Sequence, residues 1–105
     1  MMNRTIKLPN NELFRSVIGD RKLKVFQYPV DGRLGMLGLS KIVHREAGHM
    51  PKLNEAYVFF VAKGSVVKVL SVDKIGQNIL ELHGTQAEQM RAELMGITTG
   101  QHKQV

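Results

Sequence analysis

The chain has 105 residues, 43% of them hydrophobic, which suits one compact domain over residues 1–105, with an ordered core over about 10–96 and loose polar termini. It has no cysteine that could form a disulfide or bind a metal. No apolar run approaches the length of a membrane span, about 18 residues, and the N-terminal residues lack the apolar stretch of a secretory signal. We therefore expect a cytoplasmic protein without membrane contact. Fifteen Lys and Arg against nine Asp and Glu give a formal charge of +6, which favours nucleic acid first and acidic protein surfaces second; the alternative is a merely soluble basic protein.

The first predicted elements are a short helix and a strand. In NNELFRSVIGD, residues 10–20, Asn10 or Asn11 is placed to cap a helix and Gly19 to end it. One face of that helix is apolar, with Leu13, Phe14, Val17 and Ile18. LKVFQY, residues 23–28, alternates with period two, which predicts a strand. We expect it to end at Pro29, because proline cannot donate a ladder hydrogen bond.

A second helix follows over about Arg33–Ala47, with Asp31 as its predicted N-cap and Gly48 as its stop. Its core-facing stripe is predicted at Leu39, Ile42 and Val43.

Glycine recurs every third residue at the start of this helix, at Gly32, Gly35 and Gly38, where a helix normally favours alanine. Two interpretations remain open. The glycines could allow the helix to pack closely on its own sheet, or they could leave a groove for a phosphate backbone or a partner element.

The strongest β pattern begins with AYVFFVA, residues 56–62, which is β-branched and aromatic. A turn at Lys63-Gly64 leads to a partner strand over residues 65–73, and a turn at 73–76 leads to a weaker strand over 77–82. Because residues 56–62 are almost continuously apolar, we expect cover on both faces, from a second helix or a second subunit.

A last helix is predicted over residues 85–95, from a capping box at Thr85 and Glu88 to Gly96. The fold class is therefore α+β: a small antiparallel sheet, made of a three-strand meander plus an N-terminal strand, packed with two or three helices.

No residue pattern for catalysis or a cofactor emerges. The four histidines are scattered, and His44 and His49 lie five apart rather than at the i, i+4 spacing of a helical metal site. A two-metal carboxylate site could be drawn from Asp31, Asp73 and Glu81 or Glu88, but both aspartates are better explained by cap and turn roles. We expect no metal, no cofactor and no enzyme activity.

The basic residues form the candidate binding site. Together they could make a surface that contacts DNA phosphates. The candidates on the second helix and the meander are Arg33, Lys41, Arg45, Lys63, Lys68 and Lys74.

Two stretches of the chain resemble a known family. PVDGRLGMLGLSKIV, residues 29–43, and YVFFVAKGSVVKVLSVDKIG, residues 57–76, are similar in order and spacing to the small accessory protein of insertion sequences of the 66 type, called TnpB or the second open reading frame. Positions that match the first stretch are Asp31, Arg33, Gly35, Gly38, Leu39 and Val43. Positions that match the second are Tyr57, Phe59, Phe60, Lys63, Lys68, Leu70, Asp73 and Gly76.

The chain also departs from the family pattern. Val72 stands where the family has tryptophan, and NILELHGTQAEQMRAELMGI replaces the family's closing basic and aromatic region. The resemblance therefore covers about residues 25–76, and the C-terminal segment is diverged.

The resemblance implies a bacterial, non-catalytic accessory protein for DNA transposition. Its implied partners are the DNA ends of the insertion sequence and the separate, larger transposase of the same element, and it leaves homo-oligomerisation open. The alternatives are a basic protein–protein adaptor or regulator without DNA contact, and a small hydrolase or nuclease.

Overall fold

The computed structural model describes residues 11–103, which form a four-stranded mixed sheet with helices on both faces. The α+β class is confirmed. In chain order the elements are α1 (Glu12–Ile18), β1 (Lys22–Val30), α2 (Met36–Ala47), β2 (Glu55–Val61), β3 (Val66–Val72), β4 (Gln77–His83) and α3 (Gly84–Lys103).

The strands lie in the order β1-β2-β3-β4. The predicted meander is confirmed, because β2 pairs antiparallel with β3 and β3 with β4. The prediction of a wholly antiparallel sheet is wrong at β1, which pairs parallel with β2. The 12-residue helix α2 carries the chain back along the sheet before β2 begins, and a crossover of this kind is what joins parallel neighbours.

Each face of the sheet is covered by helix, as the apolar character of β2 predicted. One face packs against α1 and α3 through a cluster that includes Phe14, Phe60 and Met90. The other packs against α2 through a cluster that includes Leu39 and Phe59. All seven residues of β2 are buried, because β2 lies inside the sheet and contributes side chains to both clusters.

The ends of two helices follow the predicted chemistry. Asn11 caps α1 by accepting a hydrogen bond from the Phe14 backbone N–H at 3.0 Å, and Gly19 is its C-cap. Gly48 ends α2 with φ of 81°, a left-handed conformation that favours glycine.

Three other predicted boundaries are wrong. Strand β1 continues through Pro29 to Val30, because it is an edge strand and its register with β2 shifts between Phe26 and Val30, where a proline is tolerated. Helix α2 begins at Met36 after the N-cap Gly35, because the Asp31 side chain instead binds Arg33. Helix α3 begins at Gly84 and continues past Gly96 to Lys103. The predicted loose segment 1–9 lies outside the described residues.

A buried polar cluster supports the edge of the sheet where β1 and β2 begin. Glu55 is only 6% exposed; its carboxylate accepts a hydrogen bond from the Tyr57 hydroxyl at 2.5 Å and lies 3.5 Å from the Lys24 ammonium. The Tyr57 oxygen in turn accepts from the Lys52 backbone N–H at 3.0 Å. Burial and the Glu55 carboxylate raise the pKa of Tyr57 to about 12.

Replacing Glu55 by glutamine is expected to lower the free energy of unfolding by about 1–2 kcal/mol at pH 7. Burial raises the pKa of Glu55, but the Tyr57 hydrogen bond and Lys24 outweigh it, so the folded-state pKa lies below the ordinary 4.5. Because a depressed pKa stabilises the fold above the unfolded-state value, the contribution is complete above pH 4.5 and declines as pH falls through the folded-state pKa.

Urea denaturation at a series of pH values tests this expectation. The difference between wild type and Glu55→Gln should shrink as the pH falls below 4.5. Glu46→Gln is the matched control, because Glu46 is exposed on α2 and should change stability by less than about 0.5 kcal/mol. A difference that stays constant down to acid pH would contradict the ionic role of Glu55.

Candidate functional site

An open cleft lies at the edge of the sheet where β1 and β2 both end. Since these strands are parallel, the loops that follow them, residues 31–35 and 62–65, lie side by side there. Carboxyl ends of parallel strands are a recurrent ligand-binding location in open sheets. We call this site, of about 680 Å³, the carboxyl-edge cleft; it is lined by Pro29, Val30, Asp31, Gly32, Arg33, Val61, Ala62 and Lys63.

The loop over residues 31–35 is held close to β2. A Cβ atom on Gly32 would lie 2.9 Å from Cγ1 of Val61, so only glycine fits without a shift of that side chain. The backbone N–H of Ala62 donates to the Val30 carbonyl at 2.8 Å, which joins the bases of the two loops. These contacts fix the wall of the cleft that carries Arg33.

Lys68 supports the same loop from inside the protein. It is 5% exposed, and its ammonium donates to the carbonyl oxygens of Gly32 and Leu34 at 2.8 Å each. It also lies 3.5 Å from the Glu81 carboxylate. This burial corrects the predicted placement of Lys68 on an open DNA-binding surface, because the ammonium is engaged by the two peptide groups that flank Arg33.

Arg33 and Asp31 form an ion pair on the outer wall of the cleft. Arg33 Nε donates to Asp31 Oδ1 at 3.1 Å and Arg33 Nη2 to Asp31 Oδ2 at 2.8 Å. The Arg33 backbone N–H donates to Oδ1 at 2.8 Å. The guanidinium and this N–H lower the pKa of Asp31 to about 2, and the carboxylate raises the pKa of Arg33. Both groups are therefore charged at neutral pH. The Arg33 side chain is 91% exposed.

The outward face of α2 extends from this cleft. Leu37, Lys41 and Arg45 are exposed and spaced four residues apart, so they lie along one side of the helix. Arg45 donates to the Tyr28 hydroxyl at 3.4 Å and to the Glu46 carboxylate at 3.2 Å, which raises the pKa of Arg45. The structure thus groups Arg33 and Lys63 in the cleft and places Lys41 and Arg45 on the helix that starts beside it.

Lys74 lies at the opposite edge of the sheet, where β1 and β2 begin. It follows the end of β3, and Ser71 near that end pairs with Ala56 near the start of β2. Strand β2 has seven residues and so separates Lys74 from Lys63 by roughly 20 Å along the sheet. The hairpin that carries Lys63, Lys68 and Lys74 therefore does not bring these three ammonium groups together.

The carboxylates considered for metal chemistry have separate partners, and the two aspartates lie far from each other. Asp31 lies at the carboxyl-edge cleft, whereas Asp73 lies at the opposite edge, where its Oδ1 accepts from the backbone N–H groups of Ile75 and Gly76. Glu81 pairs with Lys68, and Glu88 accepts a hydrogen bond from the Ser65 hydroxyl at 2.6 Å. Among the residues that the structure describes, no group of three or more metal-ligating side chains is found.

The remaining motif residues have structural positions. Leu39, Phe59 and Phe60 are fully buried. A Cβ on Gly38 would lie 2.7 Å from Cδ2 of Leu34, whereas a Cβ on Gly35 would meet nothing within 4 Å. Close packing therefore explains Gly32 and Gly38, but it does not explain Gly35.

Sequence reasoning missed the partnership between Asp31 and Arg33, because it assigned Asp31 to a helix cap. The Asp-x-Arg spacing was the available signal for this pair. It also missed Glu81 as the partner of Lys68. The two residues lie on different strands, so no local sequence pattern indicates that they pair.

None of the helices within residues 11–103 has the length and apolar character needed to cross a membrane. The described residues form a small α+β protein with an open cleft that carries Arg33 and Lys63, next to a helix that carries Lys41 and Arg45. The family model for IS66 Orf2 like protein matches residues 21–103, and the chain belongs to that family, whose members are transposition-associated accessory proteins.

The family match includes both resembling stretches and continues through the C-terminal segment to residue 103. The family relationship therefore extends beyond the segment on which the sequence resemblance rested. Neither the curated proteins nor the solved structures gave a match to the chain.

Proposed function

We propose that this accessory protein binds duplex DNA through the carboxyl-edge cleft and the outward face of α2. The observation that carries the proposal is the grouping of Arg33 and Lys63 in one open cleft at the start of the helix that carries Lys41 and Arg45. Its DNA target would be the ends of the insertion sequence. Binding would take place in the cytoplasm of a bacterium, where the DNA of the element and its transposase are both present.

Charge supports this proposal over a neutral partner. The chain has a formal charge of +6, and phosphate contacts by Lys and Arg release counterions from DNA. Two of the predicted basic residues are not part of the proposed surface, because Lys68 is buried and Lys74 lies at the opposite edge.

We further propose that the protein is not itself catalytic. Its candidate carboxylates are held by separate partners, and Asp31 and Asp73 lie at opposite edges of the sheet. The strand-transfer chemistry would belong to the transposase, and this protein would position DNA for it.

The second candidate is an adaptor that binds the transposase without touching DNA. The exposed apolar side chains at the start of α2 favour it, since Met36 is 44% and Leu37 70% exposed beside the cleft. Apolar side chains in an exposed patch are typical of protein–protein contacts.

Binding of a random-sequence 20-base-pair duplex is expected to weaken linearly in log K against log salt. Replacing Lys41 or Lys63 by alanine should reduce the slope by about 1 for each lost phosphate contact. Lys74→Ala is the matched control and should leave the slope unchanged, because it removes the same kind of charge at the opposite edge. Fluorescence anisotropy at several salt concentrations measures all four proteins, with circular dichroism to confirm folding.

Equal slopes for Lys41→Ala, Lys63→Ala and wild type would remove the cleft and the outward face of α2 from the DNA-binding surface. If the wild type bound no duplex at low salt but still captured the transposase in a pull-down, the adaptor function would replace DNA binding. Loss of that capture in Leu37→Ser would then place the adaptor surface on α2.

A further inference from the structure

We infer that Arg33, held by Asp31, reads a guanine base in the major groove of DNA. This inference rests on the proposed DNA-binding function and names what one residue of that surface recognises. It depends on the geometry of the ion pair and on the shape and charge of the helix beside it.

The Asp31 carboxylate occupies only one edge of the Arg33 guanidinium. Its two oxygens accept from Nε and Nη2, at 3.1 and 2.8 Å. The opposite, terminal edge of the guanidinium still has an N–H on Nη1 and another on Nη2, which point in parallel. Guanine presents two adjacent acceptors in the major groove, O6 and N7, and a bidentate arginine is their commonest specific partner.

Asp31 also orients Arg33 before DNA arrives. The carboxylate is itself fixed by the Arg33 backbone N–H at 2.8 Å, and the flanking carbonyls are held by Lys68. An arginine fixed in this way loses less side-chain freedom on binding than an unrestrained one. The Arg33 side chain is nevertheless 91% exposed, so its terminal edge is accessible to a partner.

The same pair is less suited to a phosphate. Asp31 carries a negative charge beside Arg33 and would repel a phosphodiester brought to that guanidinium. The major-groove edge of guanine is uncharged and accepts hydrogen bonds from two suitably directed donors. The neighbouring Lys63 is a point charge and remains the phosphate contact within the cleft.

Helix α2 is positioned to enter the groove with this arginine. Its inner side packs on the sheet, while its outer side presents Leu37, Lys41 and Arg45. The major groove is about 12 Å wide and admits one helix. Leu37 lies in the first turn of α2, just after the loop that carries Arg33. An apolar side chain there can contact a thymine methyl group, and the two cations farther along complement the charge of the flanking phosphates.

The test is selection from a library of duplexes with a randomised central segment, followed by sequencing of the bound fraction. Wild-type protein should enrich a guanine at one position. Arg33→Lys keeps the positive charge but loses the planar pair of donors, and should weaken that enrichment. Asp31→Asn should weaken it. Arg15→Lys is the matched control, since it makes the same change on α1, which covers the opposite face of the sheet from α2, and it should keep the guanine.

The enriched duplex is then made with 7-deazaguanine, which lacks the N7 acceptor, at the selected position. Wild-type affinity should fall by about 5- to 150-fold, whereas Arg33→Ala, which has no donor at this position, should bind both duplexes equally. If wild type binds duplexes with a salt slope but selects no guanine, the inference is overturned and the proposed function stands. If it binds no duplex at low salt, the proposed function fails as well.

Discussion

Replacing Lys68 by methionine is expected to lower the free energy of unfolding by about 2–4 kcal/mol. Methionine keeps most of the side-chain length but leaves the carbonyls of Gly32 and Leu34 without the donors that now lie at 2.8 Å. Because a small protein is stable by only about 5–15 kcal/mol in total, this loss should be plain in urea denaturation. Amide hydrogen exchange in the loop over residues 31–35 should also become faster.

Glu81→Gln separates the two contributions of Lys68. This variant removes the partner of the ion pair but keeps both carbonyl hydrogen bonds, and the Glu81 side chain is 43% exposed. It should therefore cost less than about 1 kcal/mol. A methionine variant as stable as wild type, with unchanged exchange in the loop, would show that the Lys68 ammonium does not hold the cleft.

Most elements of the fold could be predicted from local sequence. The alternation in β1 and the apolar run of β2 define strands without any knowledge of their neighbours, and Asn11 and Gly48 mark helix ends through their own backbone chemistry. The direction of β1 could not be obtained in this way, because alternation is the same in a parallel and an antiparallel edge strand. That direction is set by the path of α2 across the sheet.

The candidate site was predicted less completely, since its contacts join distant stretches. The exposed cations Arg33 and Lys63 follow from sequence, but their meeting in one cleft depends on the parallel pairing of β1 with β2. Lys68 stands at an alternating position of β3 and could equally have reached solvent. Its burial is decided by the loop that covers it, which is 34 to 36 residues away in the chain.

Strand β2 contains two adjacent aromatic residues, Phe59 and Phe60, and exposed aromatic side chains can stack on nucleic-acid bases. Neither is available for such stacking, because the two side chains point to opposite faces of the sheet and both are fully buried. Phe59 lies in the α2 cluster and stacks on Phe26 with ring centroids 4.9 Å apart. Phe60 lies in the α1 and α3 cluster, with the Arg91 guanidinium 5.1 Å from its ring centroid. Both positions indicate core packing.

Phe59→Ala is accordingly expected to lower the free energy of unfolding by about 3–5 kcal/mol, the cost of removing a buried phenyl ring and leaving a cavity under α2. Because such a loss could unfold much of the protein, Phe59→Leu is the companion variant and should remain folded. Urea denaturation measures stability, and duplex binding is measured on Phe59→Leu under conditions where circular dichroism shows it folded. Its affinity and salt slope should equal those of wild type, since the ring does not reach the surface. A folded Phe59→Leu protein with weakened DNA binding would instead assign this strand a part in recognition.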